Sequence, residues 1–135
     1  MIFIDTTEWV SAIDSSDQLH ADGAAVLTAV ARNQLGEALT TDFVLDETFT
    51  LLKRRGVRPH KVVGAARRIL ASEVVKMVYI DGPVFQGALR NFSRFERLSF
   101  TDAATLEVMK RFNVTEIYSH DSDFDLKGIV RKERP

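Results

Sequence analysis

Ile2-Phe3-Ile4-Asp5 opens the chain, and Thr6-Thr7 lead from it into a helical pattern. The run is long enough for a strand and too short for a helix. A fully apolar strand is buried on both faces, as strands of parallel sheets are. Ligands of open α/β sheets sit at the carboxyl ends of strands, and Asp5 falls at that end. Two readings of Asp5 stand side by side: a cap for the following helix or a site residue.

Composition narrows the class. The chain has 135 residues, enough for one domain spanning 1–135 with a proper core. Hydrophobic residues make up 45%, which excludes a disordered chain. No cysteine is present, so disulfides and thiolate metal sites are absent, in keeping with a reducing cytoplasm. No apolar run reaches the roughly 18 residues of a membrane span, and no signal peptide is expected. The net charge of -1 gives no global attraction to nucleic acid or anionic membrane, so such a partner needs a local patch.

Outward from the opening strand, Trp9, Val10 and Ile13 make a short amphipathic helix, and Asp14-Ser15-Ser16-Asp17 breaks it. A longer helix runs from about Gln18 to Asn33, and Gly36 stops it. Ala38–Thr41 is a strand. Asp42 caps a helix with Val44, Thr48, Leu51 and Leu52 inward, and Glu47 shares that stripe; Asp46 faces solvent. Pro59 starts a helix with Val62, Val63, Ala66, Ile69 and Leu70 as its apolar face. Val74–Ile80 is a strand, Asp81-Gly82-Pro83 a turn, and Val84 to Phe95 a helix. Leu98-Ser99-Phe100 enters a helix with Thr101 as N-cap, Asp102 in its first turn and Ala103, Leu106, Met109 and Phe112 buried. Ile117-Tyr118-Ser119 is a strand ending at His120-Asp121. Ser122–Asp125 is a turn or a single helical turn, and Ile129-Val130 is a last strand. This alternation predicts a mainly parallel sheet covered on both faces, its carboxyl ends on one edge.

Four carboxylates stand out: Asp5 and Asp121 at strand ends, Glu47 on an inward stripe, and Asp102 at a helix start. Folding that gathers them creates a conflict, because two like charges about 4 Å apart repel by about 4 kcal/mol at an effective dielectric near 20. Such a cluster takes up protons or binds cations, and hard oxygen ligands suit Mg²⁺ or Mn²⁺. Ions held this way activate water and stabilise the leaving oxygen of a phosphodiester. Each acid also has a local reading as a cap, a strand end or an ion-pair partner, although Glu47 has no obvious one.

The pieces Ile2-Phe3-Ile4-Asp5-Thr6, Val44-Leu45-Asp46-Glu47-Thr48, Leu98-Ser99-Phe100-Thr101-Asp102-Ala103 and Ser119-His120-Asp121-Ser122-Asp123-Phe124 resemble, in order and spacing, the PIN-domain nucleases, and among them the VapC-type toxins of toxin–antitoxin pairs. Asp17 with nearby His20 resembles the family's loop after the first helix. The resemblance implies a three-layer α/β/α sandwich and an Mg²⁺- or Mn²⁺-dependent endoribonuclease. It implies that Asp5, Glu47, Asp102 and Asp121 hold the metal, with Asp123 also in the fourth motif. Thr6 and Ser119 are expected in support, Ser119 standing where the family often has Thr. The implied products carry 5′-phosphate and 3′-hydroxyl ends. A small antitoxin protein and a homodimer are the implied partners, with Trp9 and the first two helices offered to the antitoxin groove or to the core.

For RNA, Arg54, Arg55, Arg58 and Lys61 lie in the densest basic segment, Lys53 to Arg68, which holds no acid. Phosphate contacts there would be salt-sensitive. Arg90, Arg94 and Arg97 form a second set with Phe92 and Phe95, which are assigned to core packing. His20, His60 and His120 are assigned surface or capping roles. Two alternatives compete with the nuclease: a catalytically inactive PIN-fold RNA- or protein-binding module, which a broken acid set would favour, and a receiver-like phosphotransfer domain. The receiver-like domain wants an acidic pair after the first strand and a late lysine. Phe3-Ile4 before Asp5 and Ser119-His120 before Asp121 supply neither.

Overall fold

The computed structural model describes residues 1–135. Its elements, in order, are β1 (Ile2–Ile4), α1 (Thr6–Ile13), α2 (His20–Ala31), β2 (Ala38–Thr41), α3 (Asp42–Arg54), α4 (Pro59–Leu70), β3 (Val75–Val78), α5 (Gly82–Arg94), α6 (Phe100–Arg111), β4 (Glu116–Tyr118), a 3₁₀ turn (Ser122–Phe124) and β5 (Val130–Lys132). The five strands form one sheet in the order β3-β2-β1-β4-β5. Every pairing is parallel. The fold is therefore an α/β/α sandwich whose sheet is wholly rather than mainly parallel.

Topology places the site. From β1 the chain moves outward through β2 to β3, then returns across to β4 on the other side of β1. Right-handed crossovers put the α1–α4 connections on one face and the α5–α6 connection on the other. The helices pair accordingly, α1 with α2 and α5 with α6. The strand order reverses between β1 and β4, and the crevice beyond the carboxyl ends of such a pair is where open α/β sheets bind ligands.

β1 is central because nothing in it needs water: Ile2, Phe3 and Ile4 are buried together with Leu39, Ile117 and Tyr118 of its neighbours. Trp9 also belongs to this core. It is 1% exposed, and its indole N–H donates to Thr40 Oγ1 at 3.0 Å. A buried indole needs such a partner.

Several local expectations are corrected. Thr41, not Asp42, caps α3, its hydroxyl accepting from Val44 N at 3.1 Å; Asp42 Oδ1 instead accepts from Ile80 N at 2.9 Å, tying α3 to the end of β3. Ser99, not Thr101, caps α6. Asp81 is an N-cap and Gly82-Pro83 the first turn of α5, rather than a free turn. On α4, Val62 and Ile69 are buried with Ala65, whereas Val63 and Leu70 are exposed, because α4 covers an edge strand and offers a narrow stripe. The last strand is Val130–Lys132 rather than Ile129-Val130, and β4 ends at Tyr118.

Candidate active site

The register of β1 on β4 builds the first half of the site. Ile4 pairs with Tyr118, so the residues that follow, Asp5 and Ser119, leave the sheet side by side. Asp5 N donates to Tyr118 O at 3.1 Å. The Ser119 hydroxyl donates to Asp5 Oδ2 at 2.7 Å, and Thr7 Oγ1 lies 3.1 Å from the same oxygen and 3.1 Å from Ser119 Oγ. Ser119 Oγ in turn accepts from Asp121 N at 3.0 Å, and Thr7 Oγ1 from His120 N at 2.9 Å. Asp5 occupies the N-cap position of α1, but its side chain makes no cap hydrogen bond. It turns toward β4 instead.

Asp5 is 2% exposed, and its Oδ1 is buried with no hydrogen-bond partner. Burial pushes its carboxyl above the usual range, against the hydrogen bonds from Ser119 and Thr7. Asp102 approaches from α6. Ser99 Oγ accepts from Asp102 N at 3.1 Å, and Asp102 Oδ2 accepts from Ser99 N at 3.2 Å, a reciprocal capping box. Its carboxyl is pushed up to about 7, by burial first and then by the charge of Asp5, with Asp121 adding to it. The charges of Asp5 and Asp121, far away in sequence, thus both bear on Asp102 at the sheet edge.

Asp121 Oδ1 accepts from Asp123 N at 2.9 Å, closing the turn that starts the 3₁₀ segment. Asp123 faces outward and pairs with Arg97 at 2.6 Å. Glu47 is half-buried on α3, and no hydrogen bond or ion pair links it to the other three acids. No ion pair of the structure involves Asp5, Glu47, Asp102 or Asp121. No three carboxylate or histidine side chains are drawn together as a ready coordination shell. The orphaned Asp5 oxygen and the raised carboxyls of Asp5 and Asp102 nevertheless fit a hard divalent cation, which needs anionic oxygens and would relieve both conditions.

A family model for the PIN domain matches residues 2–129. The chain belongs to the PIN-domain family. Among its relatives is the 23S rRNA-specific endonuclease VapC20 of Mycobacterium tuberculosis, 31% identical over 132 residues that cover 96% of each chain. The crystal structure of that protein, described as a sarcin-ricin loop cleaving toxin, superimposes with a TM-score of 0.81 over 96% of this chain and 97% of its own. A VapC ribonuclease of Archaeoglobus fulgidus is 30% identical over 95% of this chain and 81% of its own length. A toxin–antitoxin complex from Klebsiella pneumoniae shares the fold at 14% identity, with a TM-score of 0.67 and 96% of each chain covered.

Around the acids of this PIN domain, the basic segment is partly spent. Arg55 reaches Asp17 at 2.6 Å and Asp14 at 3.7 Å, acids that the α1–α2 turn brings in from outside the segment. Arg54, Arg58 and Lys61 are exposed and make no ion pair. Arg58, His60, Lys61 and Arg68 line a cleft of about 580 Å³ with Arg55. An adjoining apolar groove of about 320 Å³ runs between α1, α2 and α4, with Trp9, Ile13, Leu27 and Ile69 in its walls, and shares Lys61 and Arg68 with that cleft. Phe92 is 48% exposed, not core, and meets Phe100 edge-on at 5.8 Å.

Three residues are not singled out by the sequence. Thr7 makes the contact with Asp5, whereas the Thr6 hydroxyl points to Val44 O at 3.5 Å. Thr-Thr after a strand gives no signal for which hydroxyl faces inward. Glu8 and His120 are the others. Glu8 is 0% exposed, and burial, then the charges of Asp22, Asp5 and Glu133, push its carboxyl up to about 8. His120 has a surface or capping role in the sequence reading, yet its ring is buried against Glu8.

Proposed function

We propose that this protein is a divalent-metal-dependent endoribonuclease, the toxin of a toxin–antitoxin pair, acting as a single nuclease domain over residues 1–135. The observation that carries the reading is the buried, unpartnered Asp5 oxygen beside the raised carboxyl of Asp102, at the switch point of a parallel sheet. Asp5, Glu47, Asp102 and Asp121 would hold Mg²⁺ or Mn²⁺, with Asp123 at the margin of the set. A divalent ion supplies a more acidic water and neutralises charge on the phosphodiester.

The chain's own residues do the rest. Ser119 and Thr7 hold Asp5 Oδ2, which leaves Oδ1 for the ion. The capping box fixes Asp102 at the helix start. Arg54, Arg58 and Lys61 are the cations free to take RNA phosphates, and Arg55 orients the loop beneath them. No Ser–His or cysteine nucleophile is required.

The relatives named as VapC nucleases support the RNA substrate. The antitoxin reading is supported by the apolar groove with its Lys61 and Arg68 rim, which suits an apolar segment carrying acidic residues. The exposed Phe85, Leu89 and Phe92 face of α5 is offered to a second copy in a homodimer. No helix is long and apolar enough to cross a membrane, and a cytoplasmic location accords with an RNA substrate. The test is cleavage of structured RNA by purified protein with Mn²⁺, with chelator, and with Asp5→Asn. Cleavage that needs Mn²⁺ and falls at least about 100-fold in the variant is expected. Activity that survives both treatments refutes the reading.

A further inference from the structure

Glu8 is the least economical side chain in the core. It lies on α1 one turn past Asp5, is 0% exposed, and neither carboxylate oxygen makes a well-formed hydrogen bond. An apolar residue of similar volume would pack there at lower cost, since burying a carboxyl without full compensation is unfavourable. The one ion-pair contact it makes is with His120 Nε2, 3.3 Å from Glu8 Oε2. That nitrogen is also 3.4 Å from Ser11 Oγ, and His120 Nδ1 is buried with no partner. The polar contacts that seat the ring therefore come from α1 alone.

The backbone of the same residue is tied into the acid site. His120 N donates to Thr7 Oγ1, and Thr7 Oγ1 reaches Asp5 Oδ2 at 3.1 Å. Ser119 and Asp121, its neighbours on either side, hydrogen-bond Asp5 and Ser119 respectively. Ser119, the residue after β4, is still held to β5: its N–H donates to Lys132 O at 3.0 Å and its carbonyl accepts from Arg131 at 3.1 Å. His120 and Asp121 make no backbone hydrogen bond to a strand, so the sheet does not fix their peptide planes.

We propose that Glu8 and His120 are positioning residues for the acid site: their buried contact anchors the His120 ring to α1, and so fixes the 120–121 backbone that presents Asp121 and keeps Thr7 on Asp5. This rests on the metal-site reading above. Residues that orient metal ligands in this way change affinity about 10–100-fold when removed.

The test is calorimetric titration of the folded proteins with Mn²⁺, beside melting curves without metal. Glu8→Met keeps the volume and removes the contact. It is expected to melt within a few degrees of wild type, or higher, while Mn²⁺ affinity falls about 10–100-fold. Glu8→Gln offers His120 Nε2 either an amide oxygen or an N–H, so it keeps the contact in either ring tautomer, and it is expected to bind within about threefold of wild type. His120→Asn removes the contact from the other side and covers the case in which Glu8→Met does not fold. It should weaken Mn²⁺ similarly, and the double variant should add nothing further. Wild-type affinity in Glu8→Met or His120→Asn overturns the inference alone. A wild-type protein that takes up no Mn²⁺ overturns the metal-site reading itself, and this inference with it.

Discussion

At Asp102 the helix cap and the acid site draw on one carboxylate. Its Oδ2 accepts from Ser99 N, while burial and the Asp5 charge push the group up to about 7. Asn keeps an acceptor for Ser99 N and removes the conflict. Asp102→Asn is therefore expected to melt at the same temperature as wild type without metal, or a few degrees higher, and to gain less from Mn²⁺. Strong destabilisation without metal would mean that the carboxylate serves mainly as a cap. Ser119 has the opposite profile. It donates to Asp5 and accepts from Asp121 N, so Ser119→Ala leaves two buried groups short of partners. Urea unfolding should show a loss of about 1–3 kcal/mol, and Mn²⁺ binding should weaken as well.

Among the elements, α1 and α2 approach closely at Gly23. A Cβ there would lie 2.6 Å from the Ala12 backbone nitrogen and would also collide with Ser11 Oγ. Backbone cannot yield as a side chain can, so Gly23→Ala is expected to cost about 1–3 kcal/mol by overpacking, read as a shifted urea midpoint. This contact also shows what the sequence could not convey. Ile2-Phe3-Ile4 was readable as a strand because it carries its burial in composition, whereas Ala38–Thr41, equally buried, is half threonine and signals it only weakly. The sites of Asp5, Asp102 and Asp121 at element ends were readable from the alternation of strands and helices. Caps were not: Thr41 beside Asp42, and Ser99 beside Thr101, are equally good capping residues one or two positions apart, and only the local backbone chooses. Nor was the exposure of Val63 and Leu70 readable, since helical spacing cannot reveal that α4 covers an edge. Thr7, Glu8 and His120 stayed hidden because their meaning arises only where β4 ends against α1.

The molecule as a whole carries its pH dependence in the same place. Glu8 and Asp102 hold protons to about 8 and about 7 when folded, against ordinary values of 4.5 and 3.8. A raised folded value favours the protonated native state. The resulting stability is full below about pH 4 and is lost as pH rises toward 7–8. Raising a carboxyl by one pH unit on folding is worth about 1.4 kcal/mol, so without metal the melting temperature should fall by more than about 5 °C between pH 6 and 9. Glu8→Gln should flatten that slope. On the acid side, the Ser16 hydrogen bonds and then Arg55 hold Asp14 below its ordinary value, and that contribution is lost as pH falls through its lowered range. RNA binding should weaken with salt, and Arg58→Gln or Lys61→Gln should each lower the log–log slope by about 0.7 for unpaired RNA.

The most direct measurement is anomalous scattering from a crystal soaked in Mn²⁺. A peak is expected within about 2.5 Å of Asp5 Oδ1, with Asp102 and Asp121 turned toward it and Glu47 swung in from α3. No peak there, or one held by other residues while Asp5 Oδ1 stays bare, would contradict the metal-site reading.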